Sequence, residues 1–155
     1  MIAYDYQVTE RVSAKNLSSL KQLVRSIYFA QDQFCLIIAC CNGRRLRRRM
    51  IQQLHQMCPV HLEELTLESS TETLYSPLAR RFQDDFPGGV LVDGFESVRH
   101  LQDLLIATNY VREEFCHLRF PIILWVNDDV MKQFVRLVPD FFSFALTGIE
   151  FTEEY

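Results

Sequence analysis

The sequence is poor in glycine, and this limits the kind of nucleotide site that it can form. The chain has 155 residues, of which five are glycine. The phosphate loop G-x-x-x-x-G-K-[ST] uses glycines to wrap its backbone around phosphate, a lysine to reach the β and γ oxygens, and a hydroxyl to bind magnesium. The segment Asn42–Arg44 follows an apolar run and precedes a helical pattern, as such a loop does, but it contains only Gly43 and no lysine. An ordinary phosphate loop is therefore excluded.

The chain also lacks long apolar runs and metal-binding cysteine patterns. No run approaches the roughly 18 apolar residues of a membrane span, and the opening "MIAYDYQVTERVSAKN" has no apolar signal region. The five cysteines show no CxxC or Cys/His spacing typical of zinc sites. These features predict a reduced, cytoplasmic protein with no membrane partner, no metal and no cofactor.

Acidic residues outnumber basic ones, which argues against a general nucleic-acid coat protein. The net charge is −4, and attraction to phosphate requires a positive surface. Against this background, one basic cluster stands out, with five arginines in six positions. We call it the Arg cluster: Arg44, Arg45, Arg47, Arg48 and Arg49.

Apolar periodicity predicts alternating helices and strands in one domain over 1–155, with a leading segment and helix in 1–30. Strands are expected at 34–41, 61–67, 90–95 and 120–127, with a short edge strand at 148–153. Helices are expected at 16–30, 44–57, 76–86, 97–118 and 130–141, and Ser76 and Pro77 are expected to cap the third of them. The pattern predicts a three-layer α/β sandwich with a mostly parallel sheet of four to five strands and helices on both faces.

Polar residues follow three of the predicted strands: Asn42-Gly43, Asp93-Gly94 and Asn127–Asp129. In a parallel sheet these groups meet at the carboxyl edge, where such proteins bind ligands. One hypothesis is a degenerate nucleotide-binding site made by Asn42, Gly43, Arg44 and Asp93. In this site an arginine replaces the lysine of the phosphate loop, and Asp93 binds magnesium directly or through water. The alternative is that these residues only cap helices and close turns.

The Arg cluster has three interpretations. The first is a solvated helix face that surface carboxylates balance. The second is a docking surface, formed by Arg45, Arg47, Arg48 and Arg49, that binds an acidic protein segment. The third is a binding site for phosphate or RNA. Neighbouring like charges repel each other unless acidic partners neutralise them. RNA binding is disfavoured, since the predicted helix has no exposed aromatic residues between its arginines.

Three segments carry a resemblance to a known family: "FCLIIACCNGRRLRRRMIQQL", "GVLVDGF" and "FPIILWVNDDVMKQFVRLVPDFFSF", followed by "GIEF". Over about 34–151 the chain resembles an α/β module near the N-terminus of bacterial, especially cyanobacterial, multidomain proteins. In those proteins it commonly precedes tetratricopeptide-like repeats or signalling-ATPase segments. The resemblance implies a P-loop-type fold with a degenerate phosphate loop. The chain departs from the family in its denser Arg cluster and in that no repeat domain follows Tyr155, as expected either of an excised module or of a short stand-alone relative.

The resemblance favours an interaction or regulatory module over an enzyme. The expected partner is a protein or a neighbouring domain, with self-association as a further alternative. The competing hypotheses are nucleotide binding or hydrolysis with a degenerate loop, and RNA or phosphate binding through the Arg cluster.

Overall fold

A computed structural model describes residues 12–153, apart from the side chain of Thr147. Five strands alternate with helices along the chain, and two short 3₁₀ helices flank α4, at Phe95–Ser97 and Arg112–His117. The elements are α1 (Ala14–Phe29), β1 (Cys35–Cys41), α2 (Arg44–Met57), β2 (Leu62–Thr66), α3 (Tyr75–Arg81), β3 (Gly89–Asp93), α4 (Leu101–Tyr110), β4 (Pro121–Val126), α5 (Asp128–Leu137), α6 (Pro139–Phe142) and β5 (Ala145–Phe151).

The five strands form one parallel sheet in the order β2-β3-β4-β1-β5. The connection after β1 runs across the sheet in one direction, and the later connections run in the other. Right-handed crossovers therefore place α2 on one face and α3 to α6 on the other. Helix α1 precedes β1 and packs in the same core as α2, so it lies on the face of α2. The predicted three-layer α/β sandwich is confirmed.

Alternate side chains of β1 enter two separate cores, as the period of two in a strand requires. Leu36 and Ile38 pack beneath α3, α4 and α5, whereas Ile37 and Ala39 pack beneath α1 and α2. Continuous apolar sequence in β1 and β4 thus reflects burial on both faces. Trp125 is fully buried in the second core, where its ring stacks on an aromatic ring of β5 at a centroid distance of 5.3 Å.

Polar contacts fix the leading helix α1 to the edge of the sheet that β5 forms. The Ser13 side chain accepts a hydrogen bond from the Asn16 backbone N–H at 3.2 Å and caps the helix. The buried Asn16 side chain donates to the Thr152 carbonyl at 2.8 Å and accepts from its N–H at 3.0 Å. Ser19 donates to the Glu150 carbonyl at 2.8 Å, so α1 satisfies backbone groups along the edge of β5.

The prediction of one long helix over 97–118 is wrong. The chain forms a 3₁₀ helix, then α4, and then a second 3₁₀ helix. The Arg99 N–H donates to the Ser69 carbonyl at 3.0 Å, which draws the chain away from a helical path. After α4, the tighter 3₁₀ winding turns Phe115 into the core, where its ring lies 4.6 Å from that of Phe141. Apolar spacing does not reveal either break.

Other boundaries also differ from the expectation. The helix expected at 130–141 divides at Val138 into α5 and α6. Helix α3 ends at Arg81 and is preceded by Leu74, so Ser76 is not its cap; Pro77 is accommodated because N–H groups of a first helical turn need no intrahelical partner. The last strand starts at Ala145 rather than at 148, although it is an edge strand as predicted. Across 12–153, no helix combines the length and apolar character needed to cross a membrane.

Candidate functional site

The candidate site is the crevice at the carboxyl ends of β1 and β4. These strands are neighbours, and the helices that follow them, α2 and α5, lie on opposite faces of the sheet. Ligands of open parallel sheets bind where the connections diverge in this way. The structure brings the three predicted strand ends to this edge, which we call the rim.

Asn42 and Asp128 close the crevice by pairing with each other. The Asn42 amide donates to Asp128 Oδ2 at 2.9 Å, and Asn42 Oδ1 accepts from the Asp128 backbone N–H at 2.8 Å. The thiol of Cys40 donates to Asp128 Oδ1 at 3.3 Å. Hydrogen bonds from Asn42 and then Cys40 hold the pKa of Asp128 below its usual value. Both side chains facing the crevice therefore already have partners.

The neighbouring residue Asn127 acts as a helix cap. Its Oδ1 accepts a hydrogen bond from the Val130 N–H at 2.8 Å at the start of α5. The capping role proposed as the alternative to ligand binding is thus observed at Asn127.

Asp93 is bound by an arginine from inside the Arg cluster. Arg47 Nη1 donates to Asp93 Oδ1 at 2.7 Å and to Glu96 Oε1 at 2.6 Å, while Nη2 donates to the Cys41 carbonyl at 3.1 Å. The Arg47 side chain is only 3% exposed. Burial alone would lower its pKa, but the hydrogen bonds and charges of Asp93 and Glu96 outweigh burial and raise it. We call this arrangement the Arg47 clasp.

Charge in the clasp is balanced by the protein itself. Two carboxylates face the Arg47 guanidinium, and Arg44 Nε lies 3.8 Å from Glu96 Oε1 on the exposed side. Within residues 12–153, no group of three or more His, Cys, Asp or Glu side chains is arranged to hold a metal. Two polar atoms in the clasp, Arg47 Nε and Glu96 Oε2, are buried without a hydrogen-bond partner.

The short loop before α2 lies against the carboxylate of Glu153, an exposed side chain. Gly43 precedes α2 with φ −90, a conformation open to any residue, and no side chain caps the helix there. A Cβ at this position would lie 2.8 Å from Glu153 Oε2, because the Glu153 side chain packs against the loop. The predicted site residues Asn42, Gly43 and Arg44 are therefore adjacent to the rim, where Asn42 pairs with Asp128, Gly43 lies against Glu153 and Arg44 is exposed.

The two thiols at the end of β1 are protonated. Burial, together with the hydrogen bond to Asp128, raises the pKa of Cys40 to about 12, and burial raises the pKa of Cys41 to about 11. A thiol reacts as its thiolate, so these cysteines are poor nucleophiles at neutral pH.

The Arg cluster does not form one surface. Arg47 is buried in the clasp, whereas Arg48 forms a two-pronged pair with Glu64, with N–O distances of 2.9 and 3.3 Å. His55 Nε2 lies 2.9 Å from the same carboxylate. The hydrogen bond from Arg48, and to a smaller extent that from His55, lowers the pKa of Glu64. Arg44 is 77% exposed and Arg45 is also exposed.

Sequence reasoning did not identify Glu64 and Glu96 as the partners of these arginines. Glu96 follows Asp93 by three residues in a turn and so reaches the same guanidinium. A surplus of acidic residues near strand ends, matched to an arginine-rich helix, is the signal that could have suggested the pairing.

The fold and rim define a parallel α/β protein in which side chains at the carboxyl edge of the sheet pair with one another. A scan of this chain against protein-family models finds no match. A search of curated proteins finds none either.

Proposed function

We propose that this protein is a non-catalytic, P-loop-like α/β module that binds another protein or a neighbouring domain. By the resemblance of its sequence, it would form the N-terminal part of a larger bacterial signalling or scaffold protein. The observation that carries the proposal is the Arg47 clasp, since it uses the carboxylate that a nucleotide hydrolase would give to magnesium.

The strength of the clasp supports a structural role for Asp93. A magnesium ion at Asp93 would have to displace Arg47 and leave its guanidinium buried without full compensation. Breaking a buried ion pair costs about 3–5 kcal/mol. A cost of about 3 kcal/mol alone lowers affinity roughly a hundredfold. Because Asn42 and Asp128 also satisfy each other, a nucleotide would gain few new contacts in return.

A thermal shift assay with millimolar MgATP and MgGTP tests the non-catalytic part of the proposal. A ligand at 100 times its dissociation constant stabilises the folded protein by about 2.7 kcal/mol, which would raise the melting temperature clearly. We expect no rise. A rise, or nucleotide hydrolysis that disappears in the variant Asp93→Asn, would identify the protein as a nucleotide-binding enzyme instead.

Sedimentation velocity and in-cell cross-linking test the binding part. Concentration-dependent sedimentation would show self-association. Cross-links from lysines of the folded domain to another polypeptide would identify a partner. A protein that is monomeric at all concentrations and forms no cross-links would contradict the proposed binding role.

A further inference from the structure

The two helices on one face of the sheet carry charge of a single sign. Three lysines and arginines lie in α1 and five in α2, and neither helix contains an aspartate or glutamate. The whole chain has a net charge of −4, so basic residues are concentrated in this layer. We call the solvent-facing side of α1 and α2 the basic layer.

Part of this charge is neutralised inside the protein, and part faces solvent. Arg47 and Arg48 pair with the acidic residues described above. Lys15, Arg25 and Arg45 are exposed, and among residues 12–153 no carboxylate lies within ion-pair distance of them. These three exposed cations attract an acidic partner by charge complementarity.

Two exposed aromatic rings extend the basic layer. Tyr28 is 42% exposed and Phe29 is 73% exposed, and their rings form an edge-to-face pair at 5.5 Å. They lie three and four positions after Arg25, which places them beside it on the helix surface. Exposed aromatic residues next to charged ones are typical anchors of protein interfaces.

The order of these features along the layer is fixed by the fold. Both helices begin at the rim: α2 follows β1 directly, and Asn16 in α1 binds the backbone after β5. Lys15 and Arg45 therefore lie near the rim, and Phe29 lies at the opposite end of the layer. A helix of the length of α1, 16 residues, spans about 24 Å, which about seven extended residues can cover.

We propose that the basic layer is the docking site for an acidic polypeptide segment that has apolar residues at one end. Its carboxylates would face Lys15, Arg25 and Arg45, and its apolar side chains would pack on the aromatic pair at the end of α1. The inference rests on the proposed binding function and specifies the surface and the partner's chemistry.

Nucleic acid fits this layer less well. A DNA duplex carries one charge per roughly 1.7 Å of its axis and is held by a continuous set of phosphate contacts. Here the densest basic positions, Arg47 and Arg48, are occupied by the protein's own carboxylates. The negative net charge also repels a long polyanion.

Fluorescence anisotropy at low ionic strength tests the proposal with a labelled peptide in which a run of glutamates precedes leucine and phenylalanine. We expect binding by the wild-type protein and about tenfold weaker binding by Lys15→Glu/Arg45→Glu. The matched control is Lys132→Glu/Arg136→Glu, which makes the same charge change at exposed positions of α5 on the other face. This control should change affinity by less than about twofold.

A second pair of variants tests the apolar anchor without changing the net charge. Its result does not depend on whether the charge variants fold. Tyr28→Ser/Phe29→Ser should weaken peptide binding several-fold, whereas Ile106→Ser/Tyr110→Ser, at exposed apolar positions of α4, should not. Melting temperatures of all variants verify that they fold.

Several outcomes would overturn the inference: no peptide binding by the wild type, equal losses in the variants and their controls, or tighter binding to oligothymidylate or to phosphatidylserine vesicles than to the peptide. The proposed function would survive these results if a protein partner still cross-links after the basic-layer substitutions. A rise in melting temperature with MgATP or MgGTP would contradict the proposed function independently of the peptide-binding results.

Discussion

Replacement of Arg47 by methionine tests the Arg47 clasp most directly. The guanidinium is 3% exposed and holds two carboxylates whose side chains are 27% and 17% exposed. Methionine fills much of the same space but leaves Asp93 and Glu96 without their cation. Breaking a buried ion pair costs about 3–5 kcal/mol, and the partial exposure of the acids favours the lower value of about 3 kcal/mol.

Urea unfolding measures this loss. With a slope of about 2 kcal/mol per molar, a loss of about 3 kcal/mol lowers the midpoint by about 1.5 M. The matched control is Arg48→Met, because Arg48 is half exposed and pairs with a single carboxylate. Exposed pairs contribute about 0–1 kcal/mol, so this control should shift the midpoint by less than about 0.5 M.

The same reasoning predicts a rescue. In the triple variant Arg47→Met/Asp93→Asn/Glu96→Gln the buried acids are neutral, so much of the lost stability should return. Equal midpoints for Arg47→Met and Arg48→Met, or no recovery in the triple variant, would refute a stabilising clasp.

Three further predictions concern other parts of the molecule. The hydrogen bond from Arg48 lowers the folded-state pKa of Glu64, so this pairing stabilises the protein above the unfolded pKa of about 4.3 and is lost as the pH falls through the folded value. In urea melts Glu64→Gln should therefore be less stable than the wild type at pH 7, and the difference should shrink as the pH falls below about 4. Gly94→Ala should cost at least about 1–3 kcal/mol, because φ is +95 and the new Cβ would lie 2.6 Å from the Leu67 carbonyl oxygen; unchanged stability would contradict this. In a thiol titration at pH 7.5, exposed Cys116 should react first, since burial raises the pKa of the other four thiols; equal rates for all five in the folded protein would be inconsistent with the structure.

The sequence by itself determined the fold class, for physical reasons that act over short distances. The continuous apolar runs of β1 and β4 require burial on both faces, and their alternation with amphipathic helices requires a parallel layered arrangement. The bounds of α2, predicted as 44–57, match Arg44–Met57 because apolar spacing, Gly43 and Pro59 mark both ends locally. The prediction of a single helix over 97–118 is wrong because the hydrogen bond between Arg99 and Ser69, which are distant in sequence, interrupts the helical pattern.

The sequence also located the rim, since residues after parallel strands must share one edge of the sheet. It could not show what these residues do there. Whether Asp93 is free to bind a metal depends on Arg47, which is 46 positions away along the chain, and whether Arg47 faces solvent depends on how α2 packs over β1 and β3. Only the tertiary structure decided that one arginine of the cluster is buried, that the rim side chains satisfy each other, and that the exposed charges of α1 and α2 share one face of the sheet, because pairing between distant residues leaves no periodic trace in the sequence.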